Sequence, residues 1–180
     1  LGQRAFGENY LQDAVAKIKS LTHLNDLEWH FIGPIQSNKT RIIAENFHWV
    51  ETLEREKIAQ RLNDQRPTGL PPLNVLIQVN ISHEAQKSGV TPEKIESLAK
   101  LIEQLPRLSL RGLMCIPEAT SSEEKLIAQF DEMQQVLKQL TNNHPQCTVL
   151  SMGMSNDLEL AILHGSSQVR IGSDIFGSRD

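Results

Sequence analysis

Two segments near the end of the chain combine residue types that could bind an anion. The first is Ser151-Met152-Gly153-Met154-Ser155, and the second is Arg170-Ile171-Gly172-Ser173. In each, a strand-like stretch ends at a glycine and a serine hydroxyl follows. Glycine lets a ligand approach the backbone closely, and the N–H groups at the start of a helix attract anions. The two segments therefore predict a phosphate site, to which Arg170 would add a positive charge.

A second interpretation of the same segments stays open. Gly-Ser after a strand is common turn chemistry, and Ser155 or Asn156 could simply cap a following helix, with Glu159 three residues after Asn156. Arg170 could pair with an interior carboxylate, because an unpaired buried charge is costly. Either segment alone favours the capped helix. Because both segments occur in consecutive units, the phosphate site and the capped helix become about equally favoured.

The other polar residues are weaker candidates for chemistry. The His, Cys, Asp and Glu residues show no metal-site spacing. Cys115 follows Met114 in a strand-like stretch and is expected to be a small buried hydrophobe rather than a nucleophile. Lys39 and Lys87 are expected in solvent, and a lone histidine such as His30 in an apolar strand is usually a core residue with satisfied hydrogen bonds. We therefore assign no catalytic residue and no metal.

Composition limits the class of protein that must position these residues. The chain has 180 residues, of which 39% are apolar and 22% charged, and its net charge is -4. A chain of this size can bury about 70% of its unfolded surface, so we expect one domain over residues 1–180. The negative charge argues against a general nucleic-acid binder. No apolar run approaches the ~18 residues of a membrane span, and two cysteines favour a reducing cytoplasm.

Hydrophobic periodicity predicts strands that alternate with helices. Leu126, Phe130, Met133, Leu137 and Leu140 share one helical face, and Ser121 with Glu124 predicts a capping box before them. The strand candidates are residues 4–9, 29–33, 47–51, 73–81, 109–116, 148–153 and 168–172. Such alternation implies parallel strands joined by right-handed crossovers. Both a (β/α)₈ barrel and a doubly wound sheet satisfy it.

The parity of residues along the strands favours the barrel. In residues 73–81 the odd positions are all apolar, whereas the even positions are Asn74, Leu76, Gln78 and Asn80. A strand covered by helices on both faces should be apolar on both. The same parity points polar side chains inward near the carboxyl ends of several strands, namely Asn9, His30, Asn80 and Arg170. Active sites of such barrels are built at that end.

Several motifs, in this order along the whole chain, closely resemble the pyridoxal phosphate homeostasis protein family. They are Phe6-Gly7-Glu8-Asn9-Tyr10, Trp29-His30-Phe31-Ile32-Gly33-Pro34-Ile35-Gln36-Ser37-Asn38-Lys39, Lys87-Ser88-Gly89, Arg111-Gly112-Leu113-Met114 and the two anion segments. The resemblance implies a TIM barrel like the alanine racemase N-terminal domain that binds pyridoxal 5'-phosphate (PLP). It also implies a non-catalytic cytoplasmic protein that buffers PLP or delivers it to PLP-dependent apoenzymes, with neither nucleic acid nor membrane as partner.

Carried over to this chain, the resemblance implies a set of cofactor contacts. The phosphate would lie near Ser155 and the Gly172-Ser173 turn, Arg170 would lie close to the cofactor, and Asn9 and His30 would line the pocket. The full set of expected contacts is Asn9, His30, Met154, Ser155, Arg170, Ile171, Gly172 and Ser173.

The chain departs from the family pattern at its front. The family holds PLP as a Schiff base on a first-strand lysine, within a Val-Ser-Lys-like segment that this sequence lacks. We therefore expect a fragment without the first βα unit, shorter by on the order of 50 residues. Two alternatives remain: a PLP-dependent racemase-like enzyme, and a cofactor-independent isomerase of phosphosugars with Glu8 as its base.

Overall fold

The computed structural model describes residues 2–84, 86–118 and 122–177. Its strands are β1 (Ala5–Glu8), β2 (Glu28–Phe31), β3 (Trp49–Leu53), β4 (Leu73–Val79), β5 (Leu108–Cys115), β6 (Val149–Met154) and β7 (Gln168–Arg170). Its helices are α1 (Leu11–Ser20), α2 (Thr40–Asn46), α3 (Glu56–Gln65), α4 (Pro92–Glu103), α5 (Glu123–Asn143), α6 (Leu158–Leu163) and α7 (Ser173–Phe176), and a 3₁₀ turn at Ser37–Lys39 precedes α2.

The strands form one seven-stranded sheet whose spatial order follows the sequence, β1 to β7. Pairing is parallel within β1–β2, β2–β3, β3–β4, β5–β6 and β6–β7. All seven predicted strands are confirmed, and their ends differ from prediction by at most two residues. β4, for example, ends at Val79 because the Asn80 N–H bonds to the Val90 carbonyl in the following loop. Sequential order of parallel strands is the topology of a (β/α) barrel rather than of a doubly wound sheet, whose strand order reverses.

The chain divides into two compact units. The first comprises residues 1–77 and 97–110. Its apolar layer lies between the strands and the helices, where Phe31 meets Phe47 edge-on with ring centroids 5.3 Å apart. Ile43 of α2 and Ile58 of α3 are at most 1% exposed. These helices are therefore anchored by their apolar faces, as the sequence periodicity predicts.

The buried guanidinium of Arg66 joins two segments of the first unit. Arg66 follows α3 and is 3% exposed. Its Nη1 donates to the carbonyls of Ala44 and Phe47, both at 2.7 Å, and its Nε donates to the Pro71 carbonyl at 2.9 Å. Burial lowers the pKa of Arg66. The residue ties the end of α2 to the segment that leads into β4.

The second unit comprises residues 78–96 and 111–180. Its longest helix, α5, buries Phe130, Met133 and Leu140 of the predicted stripe. The Ser122 hydroxyl caps α5 by accepting from the Lys125 N–H at 3.4 Å. The predicted capping box cannot be compared, since Ser121 lies outside the described residues. Among the helices described, none is both long and apolar enough to cross a membrane.

Candidate phosphate site

Arg170 is held at the end of β7 by two oxygen atoms of the second unit. Its Nη1 donates to the Ser151 hydroxyl at 2.7 Å, and its Nη2 donates to the Cys115 carbonyl at 2.9 Å. Arg170 is half-buried, whereas Ser151 and Cys115 are fully buried. Both of these partners are neutral acceptors. These contacts hold the guanidinium beside the middle of β6 and the carboxyl end of β5.

The turn after β6 is set by Gly153 and Asp157. Gly153 has φ +93°, and a Cβ there would lie 2.5 Å from the Ala161 side chain. The Met154 N–H donates to Asp157 Oδ1 at 2.6 Å, and the Asp157 N–H donates to the Met154 carbonyl at 3.1 Å. The prediction that Ser155 or Asn156 caps the next helix is wrong, because this turn delays α6 until Leu158 and makes Asp157 the residue before it. The Ser155 hydroxyl therefore does not cap α6.

The two predicted anion segments meet through that hydroxyl. The Asp174 N–H, in the first turn of α7, donates to Ser155 Oγ at 3.4 Å. Gly172 and Ser173 are exposed, and no heavy atom lies within 4 Å of where a Cβ on Gly172 would stand. Ile171 is half-buried and Met154 is 40% exposed. The structure thus brings two turns with serine hydroxyls and an open glycine side by side.

Asn9 and His30, the other two predicted contacts, belong to the first unit. Asn9 follows β1 and lines a cavity of about 430 Å³ together with Tyr10, Gln36 and Lys39. The Asn9 carbonyl lies so close to Gly33 that any side chain at Gly33 would collide with it. Glycine at that position is therefore what lets the end of β2 approach the turn after β1.

The imidazole of His30 lies between two carboxylates. Its Nδ1 is 2.7 Å from Glu51 Oε1, its Nε2 is 3.1 Å from Glu28 Oε1, and its ring stacks on Trp49 at 5.2 Å between centroids. Burial alone lowers the pKa of His30, but the hydrogen bonds and charges of Glu51 and then Glu28 outweigh it, so the pKa is raised above the ordinary 6.5. His30 is thus a buried histidine with a hydrogen-bond partner at each ring nitrogen, as is usual for a lone histidine in an apolar strand. Its role as a cofactor contact stays a prediction.

Two groups that sequence reasoning did not select are Ser151 and Glu51. Ser151 lies within a quoted motif, but nothing in the motif indicates that Arg170 reaches it. Glu51 closes the predicted third strand, and it is 1% exposed in the structure. A carboxylate in an otherwise apolar strand is the signal that could have identified it, because such a group needs a cationic or hydrogen-bonding partner.

The remaining chemical candidates have ordinary structural roles. Burial raises the pKa of the Cys115 thiol to about 12, so it stays protonated and is a poor nucleophile. Glu8 pairs with Lys17 at 2.6 Å. Within residues 2–84, 86–118 and 122–177, no cluster of three or more His, Cys, Asp or Glu could hold a metal ion.

PLP consists of a phosphate, a pyridine ring and an aldehyde, and the described residues fit these parts unequally. Open backbone at Gly172, two serine hydroxyls and a fixed guanidinium suit the phosphorylated ring. None of the seven described strands carries a lysine that could receive the aldehyde. The residues of the second unit therefore suit the phosphate and the ring of such a cofactor.

The chain is similar in sequence to a known domain family and to named bacterial proteins. Residues 1–180 match the family model "Alanine racemase, N-terminal domain". The chain is 54% identical over 182 residues to the pyridoxal phosphate homeostasis protein of Vibrio cholerae, covering 99% of this chain and 77% of the relative. It is 52% identical over 184 residues to the protein of the same name from Escherichia coli, with the same coverage of both.

Solved structures agree with this result. PipY of Synechococcus elongatus, determined with PLP bound, superimposes with a TM-score of 0.88 at 33% identity, over 98% of this chain and 82% of that one. An alanine racemase from Clostridium difficile shares the fold, with a TM-score of 0.77 at 14% identity over 98% of this chain and 45% of that one. The protein is thus a (β/α)-barrel domain of the alanine racemase N-terminal type, with seven parallel strands in sequence order. Within that class, the chain belongs to the pyridoxal phosphate homeostasis protein family.

Proposed function

We propose that this chain binds PLP reversibly and acts in intracellular PLP homeostasis as a non-catalytic carrier or buffer. The observation that carries the proposal is the contact between the Asp174 N–H and the Ser155 hydroxyl, which joins two exposed turns beside the fixed Arg170. Membership of the family and the likeness to PLP-bound PipY support it. We propose that residues 1–180 act as one cofactor-binding domain.

The phosphate and the ring of the cofactor each have residues suited to hold them. PLP supplies a phosphate dianion and an aldehyde that reacts with amines. The hydroxyls of Ser155 and Ser173 and the backbone at Gly172 would hold the phosphate, with Met154 and Ile171 beside them. Arg170 would orient the ring by donating hydrogen bonds. In the first unit, Asn9 and His30 are the proposed pocket residues.

Binding without turnover fits the groups available near Arg170. Racemisation needs a group that can take and return a proton at carbon, and the thiol of Cys115 stays protonated at neutral pH. The Arg170 guanidinium cannot act as a base under ordinary conditions. Arg170 and the two serine hydroxyls can bind and orient a ligand, which supports carriage.

Removing the two hydroxyls together should weaken cofactor retention. In the variant Ser155→Ala with Ser173→Ala, we expect the affinity for PLP to fall by about 100-fold or more, since two hydrogen bonds to a charged group are lost and each is worth about 1.5 kcal/mol or more. Binding is measured by isothermal titration calorimetry and by PLP absorbance after gel filtration.

A matched double variant separates this effect from a general loss of hydroxyls. Ser20 and Thr22 are both exposed in the first unit, and each donates to a nearby backbone carbonyl of α1. Ser20→Ala with Thr22→Ala should retain PLP as the parent chain does. Equal retention by all three proteins would refute the phosphate assignment.

A carrier should also fail to turn over amino acids. We expect no exchange of the α-hydrogen of alanine or serine with deuterated solvent beyond one equivalent per protein in the presence of PLP, followed by NMR. Rates far above those of free PLP would show that the chain is an enzyme and would overturn the non-catalytic part of the proposal.

The cellular setting follows from the same proposal. Buried thiols at Cys115 and Cys147 suit a reducing compartment, so we propose the cytoplasm. The recipients of the cofactor would be PLP-dependent apoenzymes. Transfer is tested by mixing the PLP-loaded chain with an apo-aminotransferase and following the recovery of transaminase activity against an equal concentration of free PLP.

A further inference from the structure

The Ser151 hydroxyl occupies an unusual position for a polar group. It lies in the middle of β6, where the side chain is 0% exposed. Flanking residues Leu150 and Met152 are equally buried and apolar. The hydroxyl accepts the 2.7 Å hydrogen bond from Arg170 Nη1. A buried hydroxyl in such surroundings needs a partner, and a charge-assisted donor is a strong one.

The direction of the Arg170 side chain depends on this contact. In the strand register, Arg170 is opposite Met154, yet its guanidinium reaches back along β6 to Ser151, three residues before Met154. The Cys115 carbonyl receives the second donor at 2.9 Å. The guanidinium therefore points from the end of β7 back along β6, and acceptors on β6 and β5 contribute to its orientation.

An arginine side chain held at one acceptor can still rotate, whereas two acceptors fix the plane of the guanidinium. The Cys115 carbonyl belongs to the backbone and cannot be removed by substitution. The Ser151 hydroxyl is a side-chain group that contributes to the orientation of Arg170 and that substitution can remove. Pre-orientation of a donor raises affinity because less motion is lost when the ligand binds.

We propose that Ser151 is a positioning residue that orients Arg170 toward the ring of the bound cofactor, and that it contributes to selection of a phosphorylated pyridine over phosphate alone. This inference rests on the proposed function, because it assumes that Arg170 contacts the ring. Ser151 itself touches Arg170 and needs no contact with the ligand.

The test compares two ligands on Ser151→Ala. The probes are pyridoxine 5'-phosphate, which has the ring and phosphate but no aldehyde, and inorganic phosphate. We expect the affinity for pyridoxine 5'-phosphate to fall by about tenfold and the affinity for inorganic phosphate to stay within about twofold. Both are measured by calorimetry, with the melting temperature recorded alongside. Ser151→Thr, which keeps the hydroxyl, should recover at least half of the lost binding free energy.

Ser166→Ala is the matched structural control. The Ser166 hydroxyl lies within hydrogen-bond distance of the carbonyls of Leu150 and Met152 in β6 and of Gln168 in β7. It therefore joins β6 to β7, the two strands that carry Ser151 and Arg170, without contacting Arg170. We expect this variant to lower the melting temperature and to leave the preference between the two ligands unchanged.

The outcomes separate the inference from the function on which it rests. If the parent chain binds neither PLP nor pyridoxine 5'-phosphate, the proposed function itself fails. If the parent binds and Ser151→Ala binds both ligands as the parent does, or weakens both equally, Ser151 is structural only and the inference is overturned. Should Ser151→Ala not fold, Ser151→Cys replaces the hydroxyl with a slightly larger thiol that is a weaker acceptor, and failure of both to fold also marks a structural role.

Discussion

Replacing Arg66 with methionine should destabilise the first unit by about 3–4 kcal/mol, because three backbone carbonyls, two of them in buried contacts, lose a charge-assisted donor at once. Methionine matches much of the aliphatic stem and so limits the contribution of lost packing. Nη1 serves Ala44 and Phe47, and Nε serves Pro71, so no single water or side chain can replace the guanidinium. The free energy of unfolding is obtained from urea titration followed by circular dichroism.

The same substitution at Arg41 provides the control. Arg41 lies on the exposed face of α2, with 66% of its side chain accessible and Glu45 at 3.9 Å. Exposed pairs of this kind contribute about 0–1 kcal/mol. Arg41→Met should therefore leave the midpoint nearly unchanged. A loss at Arg66→Met no greater than at Arg41→Met would show that Arg66 does not stabilise the junction between α2 and β4.

Arg66 and Arg41 differ in a way that the sequence alone does not indicate, whereas other features of the fold could be predicted from it. The alternation of strands and helices is a local property, since it follows from side-chain periodicity within about ten residues. It was therefore predictable, and so was the odd-numbered apolar face of β4, where Leu73, Val75 and Ile77 are all 0% exposed. The two glycine-serine turns were predictable for the same reason: each is encoded by four or five neighbouring residues.

Contacts between residues distant in sequence were not predictable in this way. Arg66 meets Ala44 across 22 positions, and Arg170 meets the Cys115 carbonyl across 55. Each depends on the register of neighbouring elements, and β6–β7 pairing contains an irregularity between Ser151 and Met154 that no local pattern encodes. The contact between Ser151 and Arg170 likewise joins residues 19 positions apart, so no local pattern identifies Ser151.

Breaking the pair between His30 and Glu51 should cost the first unit about 3 kcal/mol, at the lower end of the range for removing one partner of a buried ion pair. The lower end applies because His30 can release its proton when Glu51 is replaced by glutamine, so no uncompensated charge must remain. Glu51→Gln keeps the shape of the side chain, and the urea midpoint reports the loss. Unchanged stability would mean that the 2.7 Å contact contributes nothing measurable.

The pair also predicts how stability depends on pH. Because the pKa of His30 is raised above 6.5 in the folded chain, the folded state holds a proton more tightly than the unfolded state does. Its contribution to stability is therefore complete below the unfolded pKa and is lost as the pH rises through the folded value. His30→Gln should remove this part of the pH dependence, whereas His23→Gln, at an exposed site, should preserve it. The difference between the unfolding free energies of parent and His30→Gln chains, measured at closely spaced pH values, must therefore shrink with increasing pH, and a difference that grows would contradict a protonated His30 between Glu51 and Glu28.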